Sequence, residues 1–290
     1  MSRRLIRAAL CLGLLLGLAA PAAADPPIWI VRKGAATVVL FGSVHLLPAG
    51  LAWRTPTLDR ALARADQLWF ELPINSDSIE AADNASMRQG MLPPGQSLAQ
   101  LLSSEANSRL ARVAEKFHLA PEYLDRMRPW MAEITVSNAV DALARASASE
   151  GVEEQIQSTT PLRLTRRAFE TPREQIGLLA NAPLTDQTAS LSETLRECEE
   201  QPDLYQRVVA DWMRGDVAAL ETDTLDPLRK ATPGLYERLI IQRNHRWLTV
   251  LRGRLKHRGY TVVVVGAGHL IGRDGLPALL RAEGYAVEGP

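Results

Sequence analysis

The chain has 290 residues, of which 46% are hydrophobic and 23% are charged. These values are ordinary for a globular protein, and they exclude a disulfide-held mini-protein and a disordered or fibrous chain. Lys plus Arg and Asp plus Glu both number 33, so the formal net charge is zero. Proteins that bind nucleic acid usually carry a basic excess, and we therefore expect no nucleic-acid partner.

The first 24 residues have the pattern of a secretory signal peptide. Three arginines precede an apolar run over 8–20, and the small residues at 22–24 form a cleavage pattern. We expect cleavage after Ala24 by the general secretory route, which gives a periplasmic or secreted protein. The alternative is an uncleaved membrane anchor, which needs about 20 apolar residues. No later run is long enough to span a bilayer, so we expect residues 25–290 to form a single domain without stable membrane insertion.

A β-α-β unit opens this domain. Two runs rich in β-branched residues flank Lys33 and Gly34, which predicts a hairpin. Thr55 and Pro56 then offer an N-cap and a first helical position, and the next apolar run carries Glu71 at its end. The three predicted strands are Ile28 to Arg32, Thr37 to Phe41 and Gln67 to Leu72.

The far end of the chain repeats this plan. A pure strand over 260–265 ends in the sequence GAGH, and a helix over 276–283 and a short strand over 285–287 follow. A strand, a G-x-x-H segment, a helix and a strand therefore occur twice, with His45 and His269 in the same context. Such a likeness is typical of an internal duplication, although two copies do not prove one.

The middle of the chain is predicted to be mostly helical. One strand over 161–169 interrupts it and leads directly into Glu170. Strands that alternate with helices predict an α/β fold with a central mixed sheet and βαβ units at both chain ends. We expect the helical region, inserted roughly over 95–160, to pack on this sheet as a cap.

Four ionisable residues follow predicted strands: His45, Glu71, Glu170 and His269. Because the carboxyl ends of parallel strands form the ligand crevice of an α/β sheet, these side chains are expected to converge. Two imidazoles and carboxylates suit a divalent ion such as zinc, manganese, cobalt or iron. The ordinary explanation of each residue is a packed histidine or a solvated carboxylate. The shared G-x-x-H context of two of only five histidines favours a joint site.

Two polar residues interrupt the apolar stripe of a long helix predicted over 233–257. Arg243 lies four residues after Leu239 and four before Trp247, and Asn244 is its neighbour. Polar groups in a buried stripe are costly unless they are paired, which predicts carboxylate or substrate partners for them. The alternative is that the Arg243 guanidinium extends to solvent at the edge of the stripe.

A different interpretation of the C-terminal unit is a dinucleotide-binding fingerprint. Gly266, Gly268 and Gly272 precede a helix, and Glu288 follows in the last strand. The third glycine comes one position late, however, and His269 occupies the loop that a phosphate would approach. We therefore place this interpretation behind the metal site.

Six ordered motifs resemble the TraB/GumN (TraB/PrgY/GumN) family, which is related to the Tiki metalloproteases. The motifs are LFGSVHLLP around His45, ELP at Glu71, RPW at 128–130, FETPREQ at 169–175, QRN ending in Asn244, and VGAGHLIG around His269 with a following GY at 284–285. The resemblance implies one metal-dependent hydrolase site built by His45, His269 and Glu71, with Glu170, Arg243 and Asn244 as further pocket groups. One departure is Glu153, where family members tend to have Asp.

The expected function is that of an exported, peptidase-like hydrolase with a Mn, Co or Zn ion and a peptide or protein substrate. His45, His269 and a glutamate are expected to hold the ion. Glu71 or Glu170 is the other ligand or the general base, and Arg243 stabilises the oxyanion. The alternative is a regulatory protein that binds a peptide or signal in the same pocket without turnover.

Overall fold

The computed structural model describes residues 25–290, so the predicted signal peptide and its cleavage after Ala24 lie outside the described residues. These described residues contain eight strands: β1 Ile28–Lys33, β2 Ala36–Ser43, β3 Leu47–Pro48, β4 Gln67–Phe70, β5 Ala146–Ser147, β6 Thr165–Ala168, β7 Gly259–Gly266 and β8 Ala286–Glu288. Six of them form one sheet in the order β6-β4-β7-β2-β1-β8, while β3 and β5 pair separately.

The predicted hairpin opens the sheet. β1 and β2 pair antiparallel from Ile28 opposite Phe41 to Lys33 opposite Ala36. Gly34 in the turn has φ +58°, a left-handed conformation that costs glycine little because it has no Cβ. The short strand β8 pairs antiparallel with the other edge of β1 and ends the sheet.

Strand β2 also runs parallel to the three remaining strands of the sheet. β2 pairs with β7, β7 with β4, and β4 with β6. Val39, Leu40 and Phe41 of β2 and residues 262–265 of β7 are fully buried, as expected for parallel strands covered on both faces. The carboxyl ends of these four strands therefore lie at one edge of the sheet, where polar side chains can meet.

Fourteen α-helical segments occur within residues 25–290. They are α1 Pro56–Arg64, α2 Ser76–Gly90, α3 Ser104–Lys116, α4 Pro121–Leu124, α5 Pro129–Leu143, α6 Val152–Thr159, α7 Pro172–Ala180, α8 Leu184–Glu200, α9 Leu204–Met213, α10 Val217–Leu220, α11 Asp226–Ala231, α12 Pro233–Tyr236, α13 Gln242–Arg254 and α14 Leu276–Ala282. Thr171 caps α7 with a reciprocal bond to Glu174, which fixes where this helix begins beside the sheet.

The helical region has a core of its own. Buried side chains of α3, α5 and α8, such as Val113, Val136 and Leu195, form a cluster separate from the large cluster that surrounds the sheet. The helical layer therefore packs largely on itself, and it includes α8 as well as helices of the middle region. No helix within residues 25–290 has the length and apolar character needed to cross a bilayer.

Two π-helical segments interrupt long helical runs. Residues Glu221–Leu225 lie between α10 and α11, and residues Glu237–Ile241 lie between α12 and α13. Both pack near the loop that carries His269, because Gly268 faces Leu225 and Ile240. A π segment inserts one residue and shifts the face that the following turn presents, and such segments are frequent at functional sites.

The structure confirms the predicted α/β class, the mixed sheet and the βαβ units at both chain ends. Two helices, α2 and α6, were not expected from the sequence pattern. The strand predicted over 161–169 is limited to Thr165–Ala168, because Leu162 is exposed and precedes a turn. Within the predicted helical region, a 3-10 turn over 98–100 precedes α3, and the short α4 precedes α5.

Candidate functional site

The sheet edge brings the four predicted residues together. Glu71 directly follows β4, and Glu170 follows β6 by two residues. His45 follows β2 by two residues, and His269 follows β7 by three residues, within a single turn of 3-10 helix over 267–269. The G-x-x-H segments thus turn back over the ends of two adjacent parallel strands.

Arg243 lies at the centre of the site and is 5% exposed. Its Nη2 donates to Glu71 Oε2 at 2.6 Å, and its Nε donates to Glu170 Oε2 at 3.0 Å. Its Nη1 donates to His269 Nε2 at 2.8 Å. The guanidinium also lies over the Trp247 ring, 4.7 Å from the ring centroid. One cation therefore links residues from three strand ends and one helix.

Glu71 is the carboxylate that faces the cavity of the site. Its Oε1 accepts a hydrogen bond from the Gly266 amide at 2.7 Å and lies 3.8 Å from His269 Nε2. Burial alone would raise the pKa of Glu71, but the charges of Arg243 and His45 and the hydrogen bond from the Gly266 amide lower this pKa to about 2. Glu71 is thus ionised at neutral pH.

His269 is buried and held in one orientation. Its Nδ1 donates to Asn244 Oδ1 at 2.8 Å. Asn244 in turn donates through Nδ2 to the carbonyls of His269 and Asp274, which fixes the amide orientation. Burial, helped by the positive charge of Arg243, lowers the pKa of His269 to about 3. The ring is therefore neutral, with its Nε2 lone pair directed into the site.

His45 is held by a carboxylate from the helical region. Its Nδ1 donates to Glu153 Oε1 at 2.7 Å, and Ser43 donates to the same oxygen. Attraction to Glu153 raises the pKa of His45 to about 9. Water screens part of this attraction, because 59% of the side chain is accessible. The bond at Nδ1 leaves Nε2 free to face the cavity.

Gly266 leaves a small cradle between the predicted ligands. A Cβ on this residue would lie 3.2 Å from Glu71 Oε1 and 3.5 Å from His45 Nε2. These two atoms therefore border the same space, and His269 Nε2 is close to Glu71 Oε1. Glycine at this position keeps open the space that a side chain would fill.

Glu170 lies on the other side of Arg243 from this cradle. Its oxygens accept hydrogen bonds from Arg243, from Arg246 at 3.0 Å and from Trp247 Nε1 at 3.2 Å. All of its close partners are donors, and the side chain is buried. We infer that Glu170 holds Arg243 in place, whereas Glu71 is the carboxylate that a bound molecule can reach.

The site opens into a cavity of about 210 Å³. His45, Glu71, Glu153 and Gln175 supply its polar lining. Gln175 and the partner role of Glu153 were not foreseen from the sequence. Gln175 ends the FETPREQ motif, and Glu153 is the position at which family members tend to have Asp. The neighbouring residues of neither one predict which strand end its side chain contacts.

The imidazole and carboxylate groups of the site are suitable ligands for a divalent ion, but His269 and Glu71 are hydrogen-bonded to Arg243 instead. Within residues 25–290, no three His, Cys, Asp or Glu side chains form a group that could hold a metal ion. The guanidinium takes His269 Nε2 and Glu71 Oε2, and so supplies the positive charge there. The cradle at Gly266 remains the place where two imidazoles and a carboxylate would meet around an ion.

The C-terminal loop lacks the geometry of a dinucleotide site. Only a single 3-10 turn over 267–269 follows Gly266, and helix α14 begins at Leu276, so no α-helix N-terminus follows directly on Gly266. The Glu221 carboxylate occupies the space beside Gly272, and Glu288 pairs with Arg32. An acidic side chain where a phosphate would approach speaks against the dinucleotide interpretation.

Comparison with known proteins decides the family. The family model described as TraB/PrgY/gumN family matches residues 27–289. The chain belongs to this family. The match runs from β1 to β8, so both G-x-x-H segments of this TraB/PrgY/gumN chain lie inside it.

Two curated relatives of this TraB/PrgY/gumN chain have the same degree of similarity. Each is named "Uncharacterized protein YbaP", one from Escherichia coli (strain K12) and one from Shigella flexneri. Each is 24% identical over 257 residues, which cover 88% of this chain and 92% of the relative. No solved structure matches the chain.

Proposed function

We propose that this protein is an exported, metal-dependent hydrolase that cleaves amide bonds of peptides or proteins. One observation carries the proposal: His45 Nε2 and Glu71 Oε1 border the cradle at Gly266, and His269 Nε2 lies 3.8 Å from the same Glu71 oxygen. His45 and His269, which are remote in sequence, thus each approach Glu71, beside a cavity that His45 and Glu71 line.

His45, His269 and Glu71 are the residues that would hold the ion. Two imidazoles and one carboxylate suit zinc, manganese or cobalt, and they leave further positions open for substrate. A bound divalent ion would supply Lewis acidity, polarising a carbonyl group and lowering the pKa of water. For these three residues to bind one ion, the hydrogen bond between Arg243 and Nε2 of His269 has to break.

The neighbours of these residues orient them. Glu153 holds the Nδ1 side of His45, and Asn244 holds the Nδ1 side of His269. Nε2 of His45 is thereby left on the cavity side, and Nε2 of His269 faces Arg243 and Glu71. Arg243 places a buried positive charge beside the reacting position, where it would stabilise the negative oxygen that develops during amide hydrolysis. Glu71, and not the enclosed Glu170, is the carboxylate available to bind the ion or accept a proton.

The proposed location outside the cytoplasm rests on the sequence of residues 1–24. The pattern of arginines, apolar run and small residues supports cleavage after Ala24. N-terminal sequencing of the protein recovered from the periplasm or the medium tests this part. A mature chain that begins at Asp25 supports export, whereas an intact N-terminus in the cytoplasm contradicts it.

Metal binding and peptide cleavage test the proposed activity. The purified protein is treated with a chelator, titrated with Mn²⁺, Co²⁺ or Zn²⁺ in a calorimeter, and incubated with a mixed peptide library. We expect one site per chain and cleavage that returns with the metal. His45→Ala and His269→Ala should each abolish both, whereas the exposed His245→Ala should change neither. Equal metal binding by wild type and the two site variants contradicts the proposal.

A second candidate function is a regulatory protein that binds a peptide in this cavity without cleaving it. The observation in its favour is that Arg243, and no three-ligand metal group of the described residues, provides the positive charge of the site. Retention of an intact peptide by a protein without restorable metal would favour this function. Cleavage products in the same incubation would exclude it.

A further inference from the structure

A groove of about 710 Å³ lies beside the proposed active site. It runs between α7 and the long helix over 233–254, on the side of Glu170 that faces away from Glu71. The half-buried Phe169 gives it an aromatic surface, and the buried Trp247 supports Phe169 from below, with ring centroids 4.9 Å apart and planes inclined by 20°. The groove is therefore large enough to hold part of an extended peptide, and it offers an aromatic surface against which a side chain can pack.

The carboxylates of the groove are already engaged. Glu170 accepts hydrogen bonds from Arg243, Arg246 and Trp247. Glu174 caps α7, because one of its oxygens accepts from the amide and the hydroxyl of Thr171, each at 2.8 Å. Glu170 therefore has no capacity left for a further cation, whereas the exposed Glu174 uses only one of its two oxygens in the cap.

Two arginines of the groove have no such partner. Within residues 25–290, Arg173 and Arg238 make no hydrogen bond or ion pair through their guanidinium groups, although both line the groove. Arg238 is partly buried, so its five donors are only partly hydrated. Unpaired guanidinium groups beside an aromatic surface match an anionic, planar group such as a carboxylate.

Arg238 lies in the π-helical segment Glu237–Ile241. Arg243 follows this segment and enters the proposed active site, while Arg246 reaches Glu170 from the groove side. The same helix therefore supplies the buried cation of the site and the open cations of the groove. A chain that binds along the groove lies next to Glu170, one buried side chain away from Arg243.

We infer that this groove is the part of the substrate site that selects acidic peptides. Arg173 and Arg238 pair with a carboxylate of the peptide, and the aliphatic part of that residue packs on Phe169. This inference rests on the proposed function for its substrate class, but binding in the groove requires no turnover.

The test compares three peptides of equal length by titration calorimetry, in the presence of a chelator. The first contains two glutamates and is blocked at both ends, the second is its blocked glutamine counterpart, and the third is the glutamine peptide with a free C-terminus. We expect the acidic peptide to bind about 10-fold or more tightly than the blocked glutamine peptide. If the third peptide also binds tightly, the groove binds a C-terminal carboxylate as well as a glutamate side chain, and both results support an anion site.

Variants locate the preference on the protein. The double variant Arg173→Ala/Arg238→Ala should reduce the preference for glutamate to less than about 3-fold. Arg252→Ala is the matched control, because Arg252 lies on the same helix but pairs with Glu283 outside the groove, and it should keep the full preference.

Three results would overturn the inference: equal binding of glutamate and glutamine peptides, no measurable binding of any peptide, or an unchanged preference in the double variant. The outcome is separable from the proposed hydrolysis. A metal-dependent hydrolase without this preference contradicts the groove alone, whereas a preference without metal binding contradicts the hydrolase alone.

Discussion

Arg243 and Glu170 form a buried ion pair in which Nε lies 3.0 Å from one carboxylate oxygen and 3.1 Å from the other. Glu170 also lines the groove beside α7, whereas Glu71 lines the cavity of the site. The pair therefore has two consequences: it fixes the guanidinium that neutralises Glu71, and it connects two regions with different chemistry.

Removal of the cation should destabilise the fold. Arg243→Ala leaves the buried Glu71 without its arginine partner and Glu170 with only Arg246, and we expect the free energy of unfolding to fall by about 3–5 kcal/mol. Arg243→Lys should lose less, because it keeps the charge but not the planar fork. Urea denaturation measures both, with Arg252→Ala as an exposed ion-pair control that should cost less than about 1 kcal/mol. A change of similar size in Arg243→Ala and Arg252→Ala would contradict this role.

A methyl group at Gly266 should block the cradle. Gly266 has φ −47° and ψ 136°, which alanine adopts without strain, so Gly266→Ala should fold. Its Cβ would crowd Glu71 Oε1 and His45 Nε2, and we expect metal affinity to fall by about 10-fold or more.

Gly253 is the matched control for this substitution. It lies in α13 with open space around it, and Gly253→Ala should raise the free energy of unfolding by about 0.5–1 kcal/mol without affecting metal affinity. Calorimetric titration and urea denaturation of the two variants check these expectations. Unchanged affinity in Gly266→Ala would show that the ion does not bind at the cradle.

Glu153 should act through His45. Glu153→Gln weakens the bond that orients the imidazole, and we expect metal affinity or peptide cleavage to fall by about 10- to 100-fold. Glu154→Gln, at the exposed neighbouring position, should change neither quantity. Metal titration and initial rates measure the difference. Equal behaviour of the two variants would remove Glu153 from the site.

The helical layer contains a carboxyl group that should destabilise the fold at high pH. Burial, followed by repulsion from Glu193, raises the pKa of Glu197 from 4.5 to about 7. The folded state therefore holds a proton that the unfolded chain releases, so this contribution to stability is lost as the pH rises from 4.5 through 7.

Glu197→Gln should remove that loss. We expect the variant to exceed the wild type by about 1–2 kcal/mol in free energy of unfolding at pH 8 and to equal it near pH 4, with allowance for the partial exposure of the side chain. Glu200→Gln on the same helix should gain nothing, because a hydrogen bond from Arg196 lowers the pKa of Glu200. Denaturation at several pH values tests this, and a pH-independent difference would contradict it.

Local patterns were sufficient to predict the sheet edge of the site. β-branched runs identified β2 and β7, and a charged residue after each strand placed His45, Glu71, Glu170 and His269 at the carboxyl ends. This succeeds because strand direction and burial are encoded in a few consecutive residues, and because parallel strands bring their carboxyl ends to one edge.

The same patterns did not predict α2, α6 or the two π-helical segments. α2 has a weak apolar face, with only Ala85 and Gly90 buried. A π-helical segment depends on how the helix packs against its neighbours, and no residue type in the sequence predicts it. The partner of His45 was equally hidden, since Glu153 comes from α6, which is remote in sequence.

The sequence by itself determined the α/β class, the family resemblance and the set of polar residues at the strand ends, because each depends on neighbouring residues and their order. Only the tertiary structure decided how those residues are paired. Arg243 joins Glu71 across 172 residues, and this contact puts a guanidinium where donor types alone suggested a metal ion. Such a pairing depends on which side chains share a buried space, and that is set by the packing of the whole chain.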